Sequence, residues 1–200
     1  MNNSKVRLAY LISRYPAISH TFILREVMSL RQMGFEISVA SINNPDRKLS
    51  ELTIEEQSEV ARTYYVKNHG FKGALKAHTK KFFNTPFAYI SALIFAMHLA
   101  GSDLKKVIYN FFYFVEAVMI GLWMQEENFS HLHIHFATPA ATVGMIVEKL
   151  FSFTFSITVH GPDEFYDVSK FKLTEKIENS SFICCIGSYA RSQLMKLSSP

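Results

Sequence analysis

Three histidines at alternate positions, His131-Leu-His133-Ile-His135, and a fourth in His160-Gly161-Pro162-Asp163 are the residues of this chain best suited to chemistry. Near neutral pH an imidazole serves as general base, hydrogen-bond partner or metal ligand. On an extended strand, positions two apart share a face and lie about 6.6–6.8 Å apart. Pairs within residues 131–135 therefore have the spacing of zinc-hydrolase ligands. A full ligand set needs further donors, and no neighbouring Asp-His or Cys pair supplies one. The plainer expectation is a row of hydrogen-bonded polar residues facing a cleft, with no metal.

Phe155–Val159 reads as a buried strand stopped by His160-Gly161-Pro162, because Gly accepts backbone angles other residues avoid and Pro lacks an N–H. His160 then stands at the carboxyl end of a strand, where open α/β sheets bind their ligands. A simple turn residue is the alternative. Asp163 follows at the start of a new helical stretch, where a carboxylate favours the helix dipole.

Two further loops have the same placement. Ser13-Arg14-Tyr15-Pro16-Ala17-Ile18-Ser19 joins the first strand to the first helix. It lacks the glycines of a dinucleotide-binding turn, which disfavours NAD or FAD, yet free N–H groups at the helix start still suit an anion or polar sugar. Ser19 is the expected N-cap. After the last strand, Ser188 is expected at a helix N-cap with Arg191 one turn on, either as a ligand-facing pair or as a plain capped helix with an exposed cation.

The elements that must position these residues alternate. Strands are expected at Lys5–Ser13, Phe35–Ile42, Arg62–Lys67, His131–Ala137, Phe153–Val159 and, buried, Ser181–Ile186. Helices are expected at 19–33, with Phe22, Ile23, Val27, Leu30 and Met33 on one face, and then at Thr53–Ala61, Pro139–Phe151, Ser169–Asn179 and Ser188–Leu197. Gly34 suits a left-handed cap, and Thr53 with Glu56 makes a capping box. A helical insertion fills residues 73–127, divided into three by Asn84-Thr-Pro86 and Gly101-Ser-Asp103. The fold class is α/β: a Rossmann-like, mainly parallel sheet with helices on both faces.

Composition narrows the function classes. Of the 200 residues, 48% are hydrophobic and 19% charged, enough for one substantial core. The net charge of +4 is not gathered into the Lys/Arg blocks that grip nucleic acid. Adjacent Cys184 and Cys185 point to opposite strand faces and fit a reducing cytosol better than a disulfide. The N-terminus does not resemble a signal peptide. Pro86–Ala100 is short for a membrane span, and Val107–Met124 contains Asn110 and Glu116. Lys72, Lys76, Lys80 and Lys81 lie among Phe71, Leu75, Phe82 and Phe83, a pattern that suits either a half-buried helix or peripheral contact with an anionic membrane.

Four stretches together resemble the N-terminal half of the family 4 glycosyltransferases, in particular bacterial colanic-acid and exopolysaccharide enzymes. They are Tyr15-Pro-Ala-Ile-Ser-His-Thr-Phe-Ile-Leu-Arg-Glu-Val with the following Leu30 and Met33-Gly-Phe-Glu-Ile; His131-Leu-His-Ile-His-Phe-Ala137; Phe155–Tyr166; and Cys185-Ile-Gly-Ser-Tyr-Ala-Arg-Ser-Gln-Leu194. The resemblance spans nearly the whole chain. It implies one acceptor-side Rossmann-like domain over residues 1–200, with the C-terminal donor-binding domain, its paired glutamates and its diphosphate-binding basic residues absent. Such enzymes are retaining hexosyltransferases that use a nucleotide-sugar donor and no metal or other cofactor. The implied partners are that donor, held by a missing domain or a partner chain, and a glycan or lipid-linked glycan acceptor for surface polysaccharide or capsule, with no nucleic acid. The implied location is the cytoplasm, peripheral to the inner face of the membrane.

By the same resemblance, His160 is the catalytic cleft histidine beside the transferring sugar. Ser13, Arg14, Pro16 and Ser19 border the donor, Ser188 and Arg191 line the acceptor side, and His135, Gly161 and Asp163 complete the cleft. Position 20 departs from the pattern, with His where a carboxylate is expected. The chain alone is expected to transfer little sugar. Two other readings compete: a non-catalytic binding or partner module of the same fold, and a metal-dependent hydrolase using His131, His133 and His135.

Overall fold

The structure is a computed structural model that describes residues 7–198, apart from the side chain of Lys170. Lys5 and Val6 of the first expected strand lie outside the described residues.

Six strands form one parallel sheet. They are β1 (Arg7–Arg14), β2 (Glu36–Asn43), β3 (Tyr64–Tyr65), β4 (His131–His135), β5 (Thr154–Val159) and β6 (Phe182–Cys185), in the order β3-β2-β1-β4-β5-β6. The chain winds outward from β1 to β3, then returns to pair β4 with the other side of β1. That reversal opens a crevice between the carboxyl ends of β1 and β4, where doubly wound sheets place their ligands.

Helices α1 (Thr21–Gln32) and α2 (Ile54–Arg62) follow β1 and β2. The insertion before β4 supplies α3 (Gly70–Asn84), α4 (Pro86–Leu99) and α5 (Leu104–Glu126), and then come α6 (Pro139–Phe151), α7 (Val168–Phe171), α8 (Leu173–Asn179) and α9 (Ser188–Leu197). Strand alternation sorts the core into two layers. Ala9, Leu11, Leu132, Ile134, Phe155 and Ile157 face the large core shared with α4, α5, α6, α8 and α9. Tyr10, Ile12, Ile37 and Val39 face a smaller core closed by Ile23 and Val27 of α1. Helix α6 lies close on the sheet because Gly144 has no side chain; a Cβ there would sit 2.1 Å from Ile134 Cδ1.

Local chemistry places many boundaries as expected. Helix α6 begins with Pro139 in its first turn, where a missing N–H is harmless. Thr53 accepts from Glu56 N while Glu56 accepts from Thr53 N, forming the capping box. Gly34 adopts φ +95° after α1. The expected breaks around Pro86 and Asp103 separate α3, α4 and α5, and Asp103 caps α5 through Lys105 N and Lys106 N.

Several expectations are corrected. Ser19 is not an N-cap: a 3-10 turn at Ile18–His20 precedes α1, and no side chain caps either. Met33 and Phe22 of the expected apolar face are exposed, since α1 presents only Ile23 and Val27 fully to the sheet. The strand expected at Arg62–Lys67 pairs only through Tyr64 and Tyr65, then turns into a 3-10 helix. The helix expected over 169–179 breaks at Lys172, which takes a left-handed φ of +53°. Strand β6 is not buried, because it forms an outer edge of the sheet and Phe182, Cys184 and Cys185 are exposed.

Candidate functional site

Alternation along β4 turns Leu132 and Ile134 into the large core and sends His131, His133 and His135 to the opposite, α1-facing surface. Strand β5 does the same with Ser156 and Thr158, in register beside His133 and His135. The result is a ladder of imidazoles and hydroxyls. His131 bonds Thr154 Oγ1 and Ser156 Oγ at 2.7 and 2.8 Å, and His133 bonds Ser156 Oγ and Thr158 Oγ1 at 2.8 and 2.9 Å. At the carboxyl end, His135 Nδ1 lies 2.9 Å from Nε2 of His160.

Helix α1 contributes the residue that gives this ladder a direction. Glu26 lies one turn beyond buried Ile23, and its Oε1 accepts from the Tyr10 hydroxyl at 2.9 Å and faces His135 Nε2 at 3.5 Å. Its carboxyl is held below the usual range, chiefly by the adjacent His135 imidazole, so it is ionised at neutral pH. An ionised Glu26 favours a proton on His135 Nε2. His135 Nδ1 then accepts from Nε2–H of His160, and Nδ1 of His160 is left with its lone pair. Burial first, and then repulsion from His135, pushes His160 down to about 4; burial does the same to His133. His160 is therefore held toward the neutral imidazole, and with the proton on Nε2 its Nδ1 would be free to accept a hydrogen bond.

The backbone around His160 is held by Glu164, which the sequence reading passed over. This carboxylate is buried and accepts from the backbone N–H groups of His160, Gly161 (3.1 Å) and, from the loop after β4, Ala137. Buried Lys176 donates to the carbonyls of Ala137 and Thr138, each at 2.9 Å. One anion and one cation thus tie the loop after β4 to the turn after β5. Burial pushes the Lys176 ammonium down to about 7.

Aromatic rings wall the histidine. The ring centroids of Phe22 and Phe136 lie 4.8 and 4.5 Å from His160, and His20 packs on Phe136 at 4.9 Å. Phe136 adopts φ +72°, a conformation costly for a bulky side chain, while its N–H donates to Thr158 O. Strained backbone of this kind clusters at functional sites.

The other expected residues divide. His135 and Gly161 join His160. Gly161 does so with extended backbone, φ −173°, and open space where a Cβ would be, so its conformation does not require glycine. Asp163 is exposed in a 3-10 turn; the carboxylate that holds the site is the next residue. Pro16 is buried and Ser19 exposed, with Arg14 exposed at the end of β1. Ser13 lines a separate cavity of about 530 Å³ with Asn43, Lys67, Tyr113, Glu116 and Pro139. There, burial pushes Glu116 up to about 7, leaving a carboxyl poised between its two forms near neutrality. Ser188 is the first residue of α9 rather than its cap, the cap position being Gly187, and Arg191 is exposed beside β6. Among the described residues, neither hydrogen-bonds to His160.

Glu26, His133 and His135 also offer ligand atoms within 4.8 Å of one another. The fit to a metal is poor. Both ring nitrogens of His133 already face hydroxyl oxygens, and Glu26 Oε1 is bonded to Tyr10. Coordination would have to displace at least one of these bonds.

No family model matches this sequence, and no curated protein matches it.

Proposed function

We propose that this chain is the acceptor-side domain of a retaining glycosyltransferase, which moves a hexosyl group from a nucleotide sugar to a growing, lipid-linked surface polysaccharide. The observation that carries this reading is a half-buried histidine, His160, in contact with His135 and with its backbone held by Glu164, at the carboxyl edge of a doubly wound sheet. The four sequence stretches that resemble the family 4 enzymes supply the reaction class. The nucleotide part of the donor is held by a second domain or partner chain.

In a retaining transfer the bond between the anomeric carbon and the diphosphate oxygen breaks, and the electron pair leaves with the diphosphate. The acceptor oxygen bonds to the same face, and its proton ends on the departing diphosphate. Fixed dipoles around this centre act without reorganising at the moment of reaction. His160, with Nδ1 unprotonated, accepts a hydrogen bond from a hydroxyl of the transferring sugar and fixes its orientation.

The test combines purified residues 1–200 with a donor-domain polypeptide and a nucleotide sugar. Sugar transfer by the mixture, abolished by His160→Ala, is the expected result. Glycan binding without transfer under any combination would instead establish a non-catalytic module. Robust transfer by residues 1–200 alone would overturn the division of labour.

The metal-hydrolase alternative rests on the Glu26, His133 and His135 grouping. Stoichiometric zinc in protein purified without a histidine tag would favour it.

A further inference from the structure

Helix α4 is apolar on every side: Pro-Phe-Ala-Tyr-Ile-Ser-Ala-Leu-Ile-Phe-Ala-Met-His-Leu. A helix of that character belongs in a core or in lipid. Here only one side is covered, by Ala92, Ala96 and Leu99, while Phe87 is 91% and Ile94 63% exposed. Phe82, Pro86, Phe87, Ile90 and Ile94 line an open apolar groove of about 560 Å³. Continuous exposed apolar surface of this kind marks an interaction site.

The flanks carry one sign of charge. Residues 70–112 hold six lysines and a single acidic residue, Asp103, whose carboxylate is occupied in capping α5. Along α3, the exposed row Phe71, Leu75 and Phe83 runs beside Lys72, Lys76 and Lys80. Lys80 pairs with Glu126, and Lys81 lies over the Phe151 ring. Lys72, Lys76, Lys105 and Lys106 have no ion pair among the described residues. Leu104 and Ile108 are likewise exposed at the start of α5.

We infer that the outer face of α3, α4 and the first turns of α5 docks on an anionic phospholipid bilayer, with Phe87, Ile90 and Ile94 in the acyl boundary and the lysines at the headgroups. Charge decides this occupant. Two copies packed through α4 would bring like-charged flanks together, whereas an anionic surface is attracted by each lysine. Lysine stems lie along apolar surface while their ammonium groups reach the polar layer. The helix lies in the plane of the interface rather than crossing it. Helix α5 has the length and apolarity of a span, with mean hydropathy 1.6, but half of that window is buried inside the fold. The docking stands independently of the sugar-transfer reading.

Sedimentation of residues 1–200 with phosphatidylcholine vesicles, with or without phosphatidylglycerol, tests it. Binding to the phosphatidylglycerol vesicles is expected to exceed binding to phosphatidylcholine alone by roughly tenfold or more, and to fall with salt. F87S/I94S is expected to lower binding to anionic vesicles by about tenfold or more. K105A/K106A is expected to lower it by roughly fivefold per lysine. Ile54→Ser, at an equally exposed apolar position on α2, should change nothing. All substituted side chains are exposed, and unchanged thermal melting would verify folding; K105A/K106A decides the matter should the apolar variant misfold. Absence of vesicle binding, equal binding to both vesicle types, or variants that bind like the parent would overturn the proposal. A dimer in solution that F87S/I94S dissociates would overturn it as well, assigning the face to a second copy.

Discussion

Successive residues of β4 have opposite fates. Leu132 and Ile134 enter a dry core under α5 and α6, whereas His131, His133 and His135 build a hydrogen-bonded ladder on the other surface. Strand β5 repeats the division, with Phe155 and Ile157 against Ser156 and Thr158. A two-residue period thus lets one pair of strands secure the fold with one set of side chains and present chemistry with the other. The polar face is specified by bonds that need both strands in register, and the apolar face by volume. The two faces should therefore fail differently.

The largest effect is expected where the polar side becomes structural. Glu164→Ala would leave three backbone N–H groups without their acceptor and buried Lys176 without its nearby anion. Urea unfolding should show a loss of about 4 kcal/mol. Ile134→Ala tests the apolar face, with an expected loss of about 3 kcal/mol from cavity formation. Nuclear magnetic resonance of the His160 ring should separate the two variants: the first frees the ring, and the second leaves its titration unchanged.

Acidification attacks the polar face of β4 and the turn after β5. His133 and His160 are held near 4 against an ordinary 6.5, so the unfolded chain binds protons that the native chain refuses. Stability present above pH 6.5 should fall as the pH drops from about 6.5 toward 4, by a few kcal/mol for the buried His133. His133→Asn should flatten that fall in a series of melts across pH. The smallest effect on stability belongs to His160→Ala, within about 1 kcal/mol because the ring is half-buried at an edge. If the proposed sugar transfer is correct, turnover with the donor-domain polypeptide should nevertheless drop by roughly a hundredfold or more. Equal losses in both would reduce His160 to a turn residue.

The sequence disclosed what is local. Pro139 and Phe151 bound α6 as expected because a first-turn proline and a period of 3.6 act within a few residues, and the Thr53–Glu56 box closes within four. It hid what depends on distant partners. Glu164 looks like one more acid after a Gly-Pro turn, yet one of its main partners, Ala137, is 27 residues away. Glu26 left a fainter signal: a carboxylate three residues after buried Ile23 on α1, on the side that meets the sheet. The strand at Phe182–Cys185 reads as buried from its apolar residues, which resemble a core strand, while its edge position is a property of the sheet order. Ser19 and Ser188 have the right residue type for caps, but the turns entering their helices put other residues at those positions.

The loop after β1 is tethered throughout. Tyr15 N donates to Ser41, its hydroxyl to Glu59, and its carbonyl accepts from Tyr65; Ile18 N donates to Asp46, and Asn43 donates to the Ser13 carbonyl. Arg31 braces Glu59 from α1. A glycine-rich loop in this position moulds itself around its ligand and loses conformational entropy in doing so. This one is already ordered, so a ligand meeting it pays little for loop immobilisation. Any recognition there would be that of a rigid template, selecting the shapes that fit rather than adapting to those that arrive.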